Sequence, residues 1–137
     1  MCLWTKQRTS RCTKEPIKCY KVLREEEGIL FTPYQDKQVG DDILSGEKNL
    51  CPFRVEHEDF TGWSKHLDTF PIHSGYIHAF MTENTAMNEA KSWNCHTVVY
   101  ECEIPAGVEY FEGVYGDICA HELKFIRKVY DKPYYPY

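Results

Sequence analysis

Gly75-Tyr76-Ile77-His78-Ala79-Phe80-Met81-Thr82-Glu83-Asn84-Thr85-Ala86-Met87-Asn88-Glu89-Ala90-Lys91-Ser92-Trp93-Asn94 reads as a strand that runs straight into a helix. Residues 75–80 are rich in strand formers. Thr82 is a good N-cap, and Glu83 puts a carboxylate in the favourable first turn. Ala86, Ala90 and Trp93 then recur at i, i+4 and i+7 with Met87 beside them, an apolar stripe suited to packing on a sheet. The spacing predicts a helix over about 83–93, ended at Asn94. Beyond it, Thr97–Glu103 is a strand with Val98, Tyr100 and Cys102 on one face.

Working outward from this unit, strands dominate on both sides. Ile17-Lys18-Cys19-Tyr20-Lys21-Val22-Leu23 alternates, Glu25-Glu26-Glu27-Gly28 turns, and Ile29–Thr32 returns as far as Pro33, so residues 17–32 read as a hairpin. Ile104-Pro105-Ala106-Gly107 turns the chain into a strand at Val108–Phe111. Ile118–Tyr130 is a long strand, open to a bulge, with Cys119, His121, Leu123, Phe125 and Val129 on one parity. Residues from about 35 to 70 are broken by Gly40, Gly46, Pro52 and Gly62 and read as a long loop. The expected fold class is α+β, a mainly antiparallel sheet with one helix packed on it. A basic arm over 1–16 precedes a single domain over 17–130, and a Tyr/Pro-rich tail over 131–137 follows.

The whole chain has 137 residues and a net charge of −5. That charge is uneven, since the first 16 residues carry +3 and the rest −8. An acidic body argues against nucleic acid as a partner. No basic start followed by an apolar run appears, and no stretch reaches the roughly 20 apolar residues that span a bilayer, so a cytoplasmic protein off the membrane is expected. Seven cysteines, at positions 2, 12, 19, 51, 95, 102 and 119, show no scaffold spacing. Free, buried thiols in a reducing compartment are the simplest reading, and three internal disulfides in an exported protein are the alternative.

The chain carries no C-x-x-C, H-E-x-x-H, G-x-G-x-x-G or P-loop. Cys119 and His121 share a strand face, and with Cys102 from a neighbour they would make a partial zinc set. The bland alternative is two small buried thiols and a hydrogen-bonded histidine, and no metal is expected. Residues two apart on a strand lie about 6–7 Å apart, too far for proton transfer between Cys119 and His121. Tyr76, His78 and Tyr100 are the ligand-binding candidates, with rings able to stack on a base and strand carboxylates able to accept from ribose hydroxyls. Glu101 and Glu103 fall on the solvent side of their strand. Tyr134, Tyr135 and Tyr137, set among Pro133 and Pro136, offer a partner or self-association surface.

Two resemblances rest on longer motifs. Lys18-Cys19-Tyr20-Lys21-Val22-Leu23, Thr32-Pro33-Tyr34 and Gly75-x-Ile77-His78-Ala79-Phe80 resemble stretches of small uncharacterised proteins of phages and gut Bacteroidetes. Glu101-Cys102-x-Ile104-Pro105-Ala106-Gly107-x-x-Tyr110-x-Glu112-Gly113 and Asp117-Ile118-Cys119-Ala120 extend that resemblance across about 17–130. The aromatic richness, the long loop and the lack of a complete catalytic constellation lead to the expectation of a small intracellular, phage-like accessory protein that binds a host protein or a nucleotide-like ligand between the sheet and the 35–70 loop, without a cofactor. The strand–helix unit and the I-P-x-G turn are also similar to the ADP-ribosyltransferase-like fold, which implies NAD as cofactor and Glu122 as the catalytic glutamate. That family carries Arg or His on an early strand, where this chain has Tyr20 and Lys21. No complete catalytic constellation is present, so binding is the expected mode of action, with NAD turnover or a self-associating module as alternatives.

Overall fold

A computed structural model describes residues 3–7, 9–32, 38, 39, 43–45, 70–72 and 76–133. The described strands are β1 (Leu3–Thr5), β2 (Arg11–Cys12), β3 (Ile17–Glu26), β4 (Ile29–Phe31), β5 (Gln38–Val39), β6 (Ile43–Ser45), β7 (Phe70–Ile72) and β8 (Ile77–Phe80). After the helix α1 (Glu83–Lys91) come β9 (Thr97–Ile104), β10 (Glu109–Glu112), β11 (Asp117–Ala120) and β12 (Glu122–Lys132). The architecture is a mainly antiparallel sheet with one helix among the described residues, so α+β holds with the strands dominant. The loop expected over about 35–70 lies largely outside the described residues, as do Tyr134, Tyr135 and Tyr137.

Ten strands join one antiparallel sheet in the order β2-β10-β11-β8-β3-β9-β12-β6, with β4 and β5 branching from β3. Within it, the run β11-β8-β3-β9-β12 begins and ends on strands separated in sequence by His121 alone. The sheet therefore curls back on itself like a small barrel. Cys19, Ile77, Ala79, Cys102, Ile104, Ile118, Ala120 and Leu123, drawn from all five strands, fill its interior as one cluster. The space inside so tight a curl suits small side chains, which is why thiols and alanines sit here.

The long strand expected over 118–130 is broken at His121. Ile118 and Ala120 point inward, and so does Leu123 rather than residue 122. One extra residue has therefore shifted the parity, so Cys119 and Leu123 lie on opposite sides of the wall. Further register shifts fall between Phe125 and Arg127 and between Lys128 and Tyr130. Such bulges bend a strand and raise its twist, which lets it serve both ends of the curl.

Helix α1 covers one flank, with Ala86 and Ala90 against Val22 and Val99. Thr82 caps it, its hydroxyl accepting from Thr85 N–H at 3.2 Å. The helix stops at Lys91, short of the expected Trp93. The Ser92 hydroxyl donates to the Glu89 carbonyl at 2.7 Å and the Thr97 hydroxyl to that of Ala90 at 3.1 Å, closing the last turn. The 17–32 hairpin turns more tightly than its charge run implies, on Glu27 and Gly28 alone. Both have positive φ, 52° and 80°, as a two-residue type I′ turn requires.

The N-terminal stretch is built into the fold rather than held as a loose arm. Leu3 and Thr5 are fully buried, and β1 pairs with β7 over the outer face of the sheet. The segment then follows the part of the β10 edge that β2 leaves uncovered, with side chains acting as a strand would. The Thr5 hydroxyl donates to Glu112 O at 2.6 Å, and Gln7 Oε1 accepts from Glu112 N–H at 2.6 Å. Thr13 closes the edge, giving its hydroxyl to Pro105 O at 2.6 Å and accepting from Val108 N–H at 3.1 Å. Those bonds blunt an edge that is otherwise open to pairing. At the other end, β12 runs on through Asp131 and Lys132, into the stretch expected as tail.

Candidate functional site

The β10–β11 hairpin lines up Phe111 with Cys119 and Tyr110 with Ala120. One step further along, Glu109 stands opposite His121, and His121 N–H donates to Glu109 O at 3.2 Å. Glu109 is also paired with Cys12 of β2, and continuing the Ala120–Ile77 pairing puts Tyr76 beside His121. A row Cys12–Glu109–His121–Tyr76 thus crosses four neighbouring strands on the outer face. Directly opposed side chains share a face, so the ladder itself assembles the row.

The row has a firm inner end and an open outer one. Tyr76 is 2% exposed and stacks on His121, with ring centroids 4.1 Å apart and planes at 28°. Phe111 meets Tyr76 edge-on at 5.5 Å, and Leu3 and Cys119 complete the packing beneath. His121 is 4% exposed, and its Nε2 lies 3.4 Å from Glu109 Oε2. Tyr76 hydroxyl approaches the same carboxylate oxygen at 3.5 Å. Glu109 itself is half exposed. A concave pocket of about 200 Å3 opens here, lined by Cys12, Gly107, Val108, Glu109, His121 and Glu122.

The arrangement holds a histidine edge-on to a carboxylate at the floor of an acidic, solvent-open hollow. The carboxylate orients the imidazole, and the pair is able to accept from, or donate to, hydroxyl and amine groups of a ligand. Cys12 is an exposed thiol at the rim. It lies two strand spacings from His121, roughly 9–10 Å, so the two do not form a nucleophile–base pair.

The residues singled out from sequence are dispersed. Tyr76 backs the pocket, and Glu122 lines it. His78 sits next along β8, opposite Cys119, with its carbonyl turned to Lys21. Tyr100 is elsewhere, packed edge-on against Phe125 at 5.6 Å beside the barrel interior. The partial zinc set does not assemble, because Cys102 points into the barrel while Cys119 packs on its outer face. Among the described residues no group of three or more His, Cys, Asp or Glu is placed to hold a metal ion. Glu101 is a surface ion-pair partner, 3.8 Å from Lys18 and 3.4 Å from Arg127. The reading from sequence missed Glu109. Its signal was the hairpin itself, since the turn at Gly113–Gly116 fixes which residue faces His121.

The barrel wall holds a second unusual group. β8 and β3 share one bridge, Tyr20 with Phe80, and then diverge. The His78 carbonyl is taken by the Lys21 ammonium at 2.6 Å, inside the core. Burial pushes the Lys21 amine down to about 8, although the neighbouring thiols of Cys102 and Cys19 act in the opposite sense. Burial likewise pushes the Cys19 thiol up to about 12 and those of Cys102 and Cys119 higher.

Among the described residues no helix is long and apolar enough to cross a membrane. No family model, no curated protein and no solved structure matches this chain.

Proposed function

We propose that this chain is a small accessory protein that acts by binding, and that it takes a nucleoside-like ligand in the Glu109–His121 pocket. One observation carries the reading. The Glu109–His121 pair, backed by the Tyr76 ring, lies at the floor of an open hollow of about 200 Å3. A concave hollow on which a few polar groups converge is a common form of ligand site. Glu109 and Glu122 suit ribose hydroxyls, which donate to carboxylates. The same charges disfavour phosphate, so a nucleoside fits better than a nucleotide.

Titration calorimetry with adenosine, guanosine, cytidine, uridine and NAD tests this. Wild type binds at least one nucleoside, and Glu109→Gln weakens it about tenfold or more, as expected for a hydrogen bond to a charged group. Absence of binding by all five ligands overturns the reading. A second reading, an NAD-consuming enzyme, is favoured by the place of Glu122 on the pocket wall beside His121. NAD consumption by wild type that vanishes in Glu122→Ala supports that reading over the first.

A further inference from the structure

Cys19 and Cys102 stand directly opposite each other in the β3–β9 ladder. Both are fully buried and belong to the cluster inside the barrel, so both side chains lie on the inner face. The other described cysteines have no such counterpart. Cys12 faces Glu109, Cys119 faces Phe111 and His78, and Cys95 lies in the bend after α1. The ladder therefore selects one pair of thiols among the described residues.

Geometry brings that pair close to bonding distance. Directly opposed Cβ atoms in an antiparallel ladder are about 4.5–5.5 Å apart, and a disulfide spans about 3.5–4.5 Å. A contraction of about an ångström joins them. Lys21 lies two residues along β3 on the same inner face, and its charge acts on both sulfurs in favour of thiolate. It offsets part of the penalty that burial imposes on that anion.

We propose that Cys19 and Cys102 are an intrachain redox site, closed into a cross-strand disulfide by a small hydroperoxide. The thiolate of one cysteine attacks a peroxide oxygen, breaking the O–O bond and becoming a sulfenic acid. The second thiolate attacks the sulfenic sulfur, forming the S–S bond and expelling hydroxide. With hydrogen peroxide the sum is two thiols and one peroxide giving one disulfide and two waters. The sulfurs are oxidised and the peroxide oxygens reduced, and the two thiol protons end in the waters. The buried location excludes bulky disulfides, for which exposed Cys12 is the accessible target. The contraction strains the bond, which makes it readily reducible.

The test uses the reduced full chain exposed to hydrogen peroxide, then unfolded, alkylated and mapped by mass spectrometry. The expected product is a monomer lighter by two hydrogens, with Cys19 joined to Cys102 and dithiothreitol restoring both thiols. Cys102→Ala abolishes that product. If this variant does not fold, the map of the wild-type protein decides alone. Recovery of Cys19 and Cys102 fully alkylated, or a disulfide joining any other two cysteines instead, overturns the proposal.

Discussion

Two lines of side chains run across the same curled sheet and differ in every respect that matters to chemistry. The inner line, Cys19 and Cys102 beside Lys21, is small and buried. The outer line, Cys12–Glu109–His121–Tyr76, grades from an exposed rim to a buried aromatic floor. The two lines draw on different strands, the inner on β3 and β9, the outer on β2, β10 and the ends of β11 and β8. Volume selects the inner residues. Cross-strand register selects the outer ones. The inner line couples the fold to pH, and the outer line borders the open hollow.

Removing the outer floor breaks the contrast most severely. Phe111 is fully buried against Leu3, Tyr76 and Cys119. Phe111→Ala lowers unfolding free energy by about 3–5 kcal/mol in urea titrations, and a loss below about 1 kcal/mol would mean that this face is not packed.

The inner line is tested next, through Lys21. Its amine is pushed down to about 8 from 10.5. Below pH 8 it is protonated in both folded and unfolded chains, and the full penalty of a buried charge is present. Between about 8 and 10.5 the folded chain gives up the proton while the unfolded chain keeps it, so stability rises with pH. Lys21→Met removes this slope. Wild type should gain about 3 kcal/mol on the variant across that window, measured as urea unfolding at each pH. The buried thiols act the other way, because unfolded cysteines ionise near 9 and folded ones do not. Their effect lowers the stability of both proteins at high pH and cancels in the comparison. Equal pH slopes for wild type and variant would show that Lys21 is not held inside.

Smallest is the effect of Glu109→Gln on folding. The carboxylate is half exposed and the amide keeps a hydrogen-bond acceptor beside His121, so its urea midpoint corresponds to within about 0.5 kcal/mol of wild type. A larger loss would place Glu109 among the supports of the fold rather than at a site built for ligands.

Much of the scaffold was legible because local pattern and tertiary demand agree. Thr82, Ala86 and Ala90 announce α1, and the alternation of 17–23 and 97–103 announces the two strands that form the central ladder. The break at His121 was not legible, since its cause is a partner 12 residues upstream that captures its N–H. The burial of Lys21 was not legible either. Its burial answers a carbonyl exposed where β8 leaves β3, which no local pattern encodes. The N-terminal stretch was invisible for a related reason. Thr5, Gln7 and Thr13 dress the edge of a strand about a hundred residues away, so their polar character imitates a loose terminus. Of the site, Tyr76 and Glu122 were found, but Glu109 and the pairing that organises it emerged only with the register.

The curl also fixes a timetable for synthesis. β3 pairs with β9, from Ile17 with Ile104 to Arg24 with Thr97, and closure needs β12 later still. At about 5–20 residues per second, a ribosome takes roughly 4–16 s to make the residues between those partners. Through most of that interval the apolar run of β3 has β4, beyond the Glu27–Gly28 turn, and later the single Tyr20–Phe80 bridge to β8 and the packing of α1 on Val22. The core thus forms late and almost all at once. The chain's first long strand is exposed in that interval to pairing with a neighbour's.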